Sequence, residues 1–363
     1  MLLNHLVLQY FRSYTQSDFA FSPKITYIVG PNTSGKSNIL ESIYLLSSGK
    51  SYRADVDSQM VKFGEEIGRV KGLIAEAADK TELEVVLAKD EVTNFSTKET
   101  DVGKFKKKYF VNGVARGKLK FAWNLKSLLF VPSHLDIIVG SPSLRRNFLN
   151  EVLELSHLDY HHSLIQYEKA LRQRNALLQT TRETGIRNES QFVYWNNLVI
   201  AHGNVISQKR WELVQFINSS SREVADIEVT YDKSEISIER LFKYKEAEVA
   251  SGVTLVGPHR DDFFVELKDE KMTGKRNVKH FGSRGQQRLV VLQLKLLQLE
   301  YTEKILGARP LLLLDDIFSE LDDSHIHLVM EMVTKQQTII TTTHEEFIVD
   351  RRMKEDLIIE LGG

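Results

Sequence analysis

The sequence predicts an α/β fold in which one sheet-based domain is assembled from both ends of the chain and a short antiparallel helical arm is inserted between them. Three observations carry that prediction. An apolar run, Ile25 to Val29, leads into the glycine-rich stretch Gly30-Pro-Asn-Thr-Ser-Gly-Lys-Ser37 and then into a segment with Ile39, Ile43 and Leu46 at helical spacing. A second apolar run, Leu311 to Leu314, ends in two acids, Asp315 and Asp316, the pattern of a buried parallel strand. Between them, from Ser156 to Glu223, apolar residues recur at helical steps throughout. The expected division is 1–150 for the first part of the sheet domain, 151–225 for the arm and 226–363 for the second part.

Composition bounds the possibilities. The chain has 363 residues, with 48 Lys plus Arg against 49 Asp plus Glu. Any nucleic-acid surface must therefore be a local patch rather than a global excess of positive charge. Cysteine is absent, which excludes disulfides and thiolate metal sites and fits a reducing compartment. No apolar run approaches the ~18–20 residues needed to span a bilayer. The start, Met1 to Tyr14, lacks a basic leader and a small-residue cleavage site. A cytoplasmic protein without membrane contact is expected.

In chain order, Leu3–Tyr10 and Phe19–Phe21 flank a polar turn, Arg12 to Ser17, and read as a hairpin leading into the strand at Ile25. The stretch that follows fits G-x-x-x-x-G-K-[ST], in the strand–turn–helix context that this phosphate-binding motif requires. Its glycines, Gly30 and Gly35, let backbone N–H groups of the loop, which runs from Pro31 (itself without an N–H) through Asn32, Thr33 and Ser34, converge on phosphate oxygens at a helix N-terminus. Lys36 is expected to reach the β- and γ-phosphates of ATP, and the Ser37 hydroxyl to help hold Mg²⁺. Strand-like pieces follow at Arg69–Glu76 and Glu82–Ala88. Asn112-Gly113, with apolar residues on both sides, signals a type I′ hairpin. Lys104, Lys106, Lys107, Lys108, Arg116 and Lys118 on that hairpin can sit on a DNA phosphate backbone, or can be solvated lysines on an ordinary hairpin.

The arm is read from two stripes. Tyr160, Leu164, Tyr167, Leu171 and Leu178 form the first, and Phe192, Trp195, Val199, His202, Ile206, Leu213 and Phe216 the second. The polar stretch Gln179 to Ser190 breaks the pattern between them, which predicts a helical hairpin with a coiled-coil-like seam. His202 is expected as a packed seam residue rather than a metal ligand. Beyond the arm, strand-like pieces include Val253 to Leu267, and Ser283-Arg-Gly-Gln-Gln-Arg288 precedes a helix with Leu289, Leu292, Leu296 and Leu299 on one face.

The end of the second apolar run is where open α/β sheets place ligands. Asp315 is expected to hold Mg²⁺ through its water shell, and Asp316 to orient or activate the attacking water. The last core strand is expected at Thr338–Thr342, with His344 at its tip either contacting the γ-phosphate or capping a surface loop. Lys36 and Asp315 stand 279 positions apart (315 − 36), which one domain built from both chain ends explains. In the ATP-binding-cassette architecture a signature loop completes the site of a second subunit. Ser283, Gly285 and the start of the following helix would then meet the partner's γ-phosphate in a symmetric dimer. ATP would hold the dimer together and hydrolysis would release it.

These motifs together resemble the RecF family, bacterial recombination mediators with an ABC/SMC-type P-loop ATPase head. The carriers are Phe11-Arg-Ser-Tyr14, Gly30 to Asn38, Gly49-Lys-Ser-Tyr-Arg53, Val131 to Arg146, Leu255 to Phe263, Ser283 to Arg288 and Leu311 to Asp322, so the likeness runs essentially end to end. It implies nucleotide binding by the whole phosphate loop including Asn38, and by the signature positions Ser283, Gly285 and Gln286. It further implies ATP-dependent binding to DNA, especially gapped DNA at single-strand/double-strand junctions, and recombinase loading with the RecO and RecR proteins. Roles in replication restart and in SOS damage signalling belong to the same implication. Asp316 is one methylene shorter than the Glu usual in cassette ATPases, which resembles the RecF pattern and implies a weak, DNA-linked ATPase. A switch histidine is not a regular family feature, and no chemical role follows for Arg53 or His259-Arg260-Asp261. The alternatives are another SMC-like ATPase, whose long coiled coil or added nuclease domain has no place here, and a DNA clamp or scaffold that binds ATP without hydrolysing it.

Overall fold

The computed structural model describes residues 2–76, 79–89, 105–268, 275–321, 323–343 and 354–362. It consists of two units: Met1–Pro132 with Arg309–Gly363, and Ser133–Ala308.

The first unit opens with β1 (Leu2–Phe11) and β2 (Tyr14–Ala20), an antiparallel hairpin whose register closes at Phe11↔Tyr14. Its turn is tighter than the expected Arg12–Ser17 stretch, because Arg12 takes the left-handed conformation at φ 52° and strand pairing resumes at Tyr14. β3 (Ile25–Val29) is buried at every position, and α1 (Lys36–Ser48) follows, ended by Gly49 at φ 65°. β4 (Ile67–Glu76), β5 (Asp79–Lys89), β6 (Phe105–Val111) and β7 (Val114–Arg116) extend the hairpin into an antiparallel sheet of order β2-β1-β4-β5-β6-β7. Asn112 and Gly113 join β6 to β7 at φ 49° and 75°, the two positive values that a type I′ turn demands. α2 (Lys118–Ala122) and β8 (Ser127–Phe130) complete this part of the chain.

The second unit begins with α3 (Pro142–Ser156), α4 (Leu158–Thr184) and α5 (Glu189–Ser219). α4 and α5 form the expected antiparallel pair: Tyr160 meets Arg210 near one end, and Arg174 meets Asn196 further along. Helix α4 continues through Gln179–Thr184, a stretch expected to belong to the break. Its threonine hydroxyls donate to carbonyls four residues back (Thr180 to Ala176, 3.1 Å; Thr184 to Thr180, 2.7 Å), so polarity there does not interrupt the helix. The stop is Gly185 at φ 72°, and Asn188 caps α5 by accepting from the Gln191 N–H at 3.2 Å. His202 is half-buried on the seam, its Nδ1 3.4 Å from Ser163 Oγ and its ring edge-on to His162.

After the arm come β9 (Ile227–Asp232), α6 (Ile238–Lys243), α7 (Lys245–Ser251), β10 (Asp262–Lys268), β11 (Lys275–Asn277), α8 (Val278–Phe281) and α9 (Arg284–Leu306). The strands make a small antiparallel sheet of order β11-β10-β9. The arm expected at 151–225 is thus part of a larger unit that also takes in α3, this sheet and α9, because α9 packs on α3 and α5.

Buried charge, not only apolar stripes, holds the arm to the rest of its unit. Arg174 and Arg210 are 1% and 2% exposed. Arg174 donates to Glu248 (2.6 Å), Thr254 (2.7 Å) and Asn196 (2.8 Å). Arg210 donates to Asp261 Oδ2 (2.9 Å), the Pro258 carbonyl (2.7 Å) and Asn150 (2.8 Å). Asp261 also accepts from Tyr231 and from the Ser234 N–H, while Asp262 takes both arms of Arg145 (2.6 and 2.9 Å). The segment Gly257–Asp262, for which the sequence offered no role, is therefore the polar anchor between α3, α5 and the small sheet.

The chain then returns to the first unit with β12 (Leu311–Asp315), α10 (Asp323–Val333), β13 (Thr338–Thr342) and β14 (Leu357–Glu360). These form an all-parallel sheet of order β14-β3-β13-β12-β8. Thr338–Thr342 is consequently not the last core strand: β14 follows it and pairs on the other side of β3. Leu3, Leu6, Ile28, Ile39, Leu46, Val85, Leu313 and Ile339 belong to one buried cluster, which packs α1 against both sheets of this unit.

Candidate functional site

The site grows from the C-terminal ends of β3, β12 and β13. The loop between β3 and α1 is shaped by its glycines. Gly35 stands at φ 100°, where a side chain would be strained, and a Cβ there would lie 2.7 Å from the Tyr14 hydroxyl. At Gly30 a Cβ would lie 2.7 Å from the Leu361 carbonyl. Pro31, Asn32 and Thr33 are exposed on the loop's rim, with Thr33 also left-handed at φ 71°. The Ser34 hydroxyl is buried with no hydrogen-bond partner among the described residues. Lys36 is buried and folds over the loop, its Nζ donating to the carbonyls of Gly30 (2.6 Å) and Pro31 (2.8 Å). Burial lowers the lysine's pKa, opposed by the nearby charges of Asp316 and Asp315.

Parallel pairing in register puts Asp315 beside Thr341, and Thr341 beside Ile28. Ser37 at the start of α1 thereby meets the end of β12: its Oγ donates to Asp315 Oδ1 at 2.9 Å. Thr341 Oγ1 donates to the same oxygen at 2.8 Å, and the Tyr52 hydroxyl donates to Oδ2 at 3.0 Å. Asp316 takes the left-handed conformation at φ 50°, its N–H shared between the carbonyl (3.1 Å) and hydroxyl (3.0 Å) of Thr341. The chemistry of the set suits phosphate and Mg²⁺. Ser37 and Asp315 are hard oxygen donors, and Mg²⁺ is commonly held by one or two carboxylates plus substrate phosphates. The lysine and the unsatisfied Ser34 hydroxyl suit phosphate oxygens.

Two segments that the sequence singled out without giving them a role also converge here. Arg12 grips the fully buried Glu41 of α1 with both guanidinium arms (2.8 and 2.6 Å). Asn38 is held from both sides, its amide donating to Ser13 Oγ (3.0 Å) and its carbonyl accepting from Arg53 (2.9 Å). Phe11–Tyr14 and Gly49–Arg53 therefore brace the first turns of α1. The sequence marked both segments, but no spacing rule pairs Arg12 with Glu41 or Tyr52 with Asp315.

The signature segment lies in the second unit. Ser283 caps α9 in a reciprocal capping box: its N–H donates to Gln286 Oε1 (2.9 Å), and the Gln286 N–H donates to Ser283 Oγ (3.2 Å). Ser283 and Gly285 are exposed, and a Cβ on Gly285 would meet nothing nearer than Ser283 Oγ at 4.0 Å.

The basic hairpin divides. Lys106, Lys108 and Arg116 are exposed. Strand alternation turns Lys107 to the face opposite Lys106 and Lys108, where it pairs with Asp57 at 2.7 Å, so it does not join the expected phosphate-binding row; Arg116, opposite Tyr109 in the register, lies on the Lys107 face but is exposed. Lys118 is not on the hairpin either; it opens α2, and its stem packs against Gly49. Lys104 and His344 lie outside the described residues.

Fold and site define an ATPase head of the ABC/SMC class. A family model described as RecF/RecN/SMC N terminal domain matches residues 2–358. The chain belongs to the RecF family of DNA replication and repair proteins. The DNA replication and repair protein RecF of Bacillus thuringiensis (strain Al Hakam) is 32% identical to it, over 98% of this chain and 95% of that protein. The RecF of Bacillus cereus (strain AH187) matches to the same extent, 32% over 98% and 95%. Among solved structures, the recombination mediator protein RecF with ATPrS in the RecFOR pathway superposes with a TM-score of 0.83 at 28% identity, covering 96% of this chain and 94% of that one. The corresponding RecF–ATP structure gives 0.82 at 28%, covering 95% and 93%. An Smc head bound to the C-terminal winged-helix domain of ScpA shares the fold, with a TM-score of 0.51 at 17% identity over 96% of this chain and 91% of that one.

Proposed function

We propose that the chain is an ATP-gated DNA-binding dimer that acts in recombinational repair with RecO and RecR partners. The observation that supports this reading is the Ser37–Asp315 hydrogen bond beside Lys36, which brings together, from the two ends of the chain, groups suited to phosphate and Mg²⁺. Lys36, Ser34 and the loop N–H groups would hold the phosphates of ATP, and Ser37 with Asp315 would hold Mg²⁺. The metal supplies charge neutralisation of the phosphate oxygens. Asp316 acts as the base or water-orienting group, with turnover kept low by its short side chain and its constrained backbone. A cytoplasmic location follows from the same reading, because ATP and the DNA under repair are found there. Among the described residues no helix is long and apolar enough to cross a membrane.

Gly285 supports a signature that works in trans. Its own chain leaves room for a side chain, and glycine in a helix costs up to about 1 kcal/mol relative to alanine. A glycine is favoured there if an outside group approaches the backbone, as the phosphate of a nucleotide held by a second copy would. The test is the mass in solution with and without ATP and Mg²⁺, for wild type and Ser283→Arg. ATP should drive the wild type to a dimer and leave Ser283→Arg monomeric though still nucleotide-bound. A wild type that stays monomeric at saturating ATP ends the shared-site account.

A further inference from the structure

Tyr52 belongs to neither the phosphate loop nor the strand-end acids. It sits in the segment after α1, its ring edge-on to Tyr44 of that helix at 5.7 Å between centroids. Its hydroxyl lies 3.0 Å from Asp315 Oδ2 and 3.3 Å from the Ser37 carbonyl. A phenol has one proton to donate, and the carboxylate is the nearer and the charged acceptor, so the bond to Asp315 is the stronger. Among the described residues the other side-chain donors to Asp315, Ser37 and Thr341, both converge on Oδ1. Without the phenol the carboxylate keeps two bonds at one oxygen and is free to pivot about it.

We propose that Tyr52 is a positioning residue for the metal: its hydroxyl fixes Asp315 Oδ2, so that Oδ1 stays directed at Ser37. The inference rests on the reading of Ser37 and Asp315 as the Mg²⁺-holding pair and adds to it a residue outside both motifs. Tyr52 donates to a group that itself would meet the metal, the outer-shell relationship whose loss commonly lowers metal affinity ~10–100-fold. The same segment is fastened to α1 by Ser51 on Glu41 and by Arg53 on Asn38. Ser51 and Arg53 thus hold the segment at two points besides the phenol, so the loss of one of them leaves Tyr52 its other anchor.

The experiment uses the full chain and a fluorescent ATP analogue, titrated first without divalent metal and then with Mg²⁺, in wild type, Tyr52→Phe, Ser37→Ala and Arg53→Ala. Tyr52→Phe keeps the ring and its packing on Tyr44. It should bind nucleotide as wild type does in the absence of metal, within about twofold, yet need on the order of tenfold more Mg²⁺ for half-maximal tightening. Arg53→Ala, which loosens the same segment but leaves the phenol, should keep the wild-type Mg²⁺ midpoint. An unchanged midpoint in Tyr52→Phe, alongside a raised one in Ser37→Ala, overturns the role of Tyr52 and leaves the metal pair standing. Equal shifts in Tyr52→Phe and Arg53→Ala also overturn it, because segment order rather than the hydroxyl would then set the midpoint. Loss of metal-free binding in Tyr52→Phe overturns it as well, since the ring would be structural. If neither wild type nor Ser37→Ala responds to Mg²⁺, the failure lies with the metal pair itself.

Discussion

Arg210 Nη1 and Asp261 Oδ2 lie 2.9 Å apart with both side chains almost wholly excluded from solvent, joining helix α5 to the segment that precedes β10. Taking either partner away strands a charge in the interior. Removing one member of such a pair typically costs about 3–5 kcal/mol. Arg210→Leu should therefore lower the unfolding free energy, measured by urea denaturation, by an amount in that range. A loss below about 1 kcal/mol would mean that water reaches Asp261 and that the pair is less isolated than its burial implies.

Gly285→Ala separates fold from assembly. Alanine fits the space around α9 and should leave stability equal or raise it by up to about 1 kcal/mol. ATP-driven dimerisation, followed by light scattering, should nevertheless be lost. A variant that dimerises like wild type would show that no group closes on that backbone.

His259 gives a pH dependence with a definite sign. Its Nε2 lies 3.0 Å from the Thr254 carbonyl, so that nitrogen carries the proton, and its Nδ1 accepts from the Tyr167 hydroxyl at 2.7 Å. The neutral ring is the one that fits. Burial, reinforced by Arg260 and Arg146 and opposed by the Thr254 carbonyl and Asp261, lowers its pKa from 6.5 to about 4. Between those values the unfolded chain binds more protons than the folded one. The contribution is thus fully present above pH 6.5 and is lost as pH falls towards 4, by up to about 3 kcal/mol. His259→Gln should flatten that part of the stability–pH curve, and an unchanged slope would mean that other groups carry it.

The exposed basic residues of the hairpin make a graded prediction. Replacing Lys106, Lys108 and Arg116 with alanine should weaken DNA binding uniformly across sequences. On a duplex the salt slope should fall by roughly 0.9 for each phosphate that is no longer neutralised. Lys107→Ala should leave the slope alone, because that lysine is engaged with Asp57. Equal effects from all four would place the DNA elsewhere, with the lysines acting only through net charge.

What the sequence made legible, and what it did not, follows physical lines. β3 and β12 are mainly apolar runs beside recognisable chemistry and β13, Thr-Ile-Ile-Thr-Thr, is β-branched at every position, so both their existence and their ends could be read. Asn112-Gly113 is legible because few residue pairs accept two positive φ values. Arg174 and Arg210 were missed because a charged residue on a helix is ordinarily solvated, and only the long-range partners Glu248 and Asp261 reveal them as interior. α4 outran its expected end because Gln179–Thr184 is polar yet contains no helix breaker before Gly185. β14 escaped because a four-residue strand that finds its partner 331 positions earlier (Leu357↔Thr26; 357 − 26) leaves no local sign.

The parallel sheet has a consequence for how the protein is made. β3, which carries the phosphate loop, lies between β13 and β14 in the sheet. Thr338 emerges 309 positions after Val29 (338 − 29), a delay of about 15–60 s at ~5–20 residues per second of synthesis. During that interval β3 is an apolar strand with both edges open, a segment for chaperones to shield. A chain released early from the ribosome would own the whole phosphate-loop motif and yet lack the walls that shape it. Nucleotide retention should thus report on completed translation.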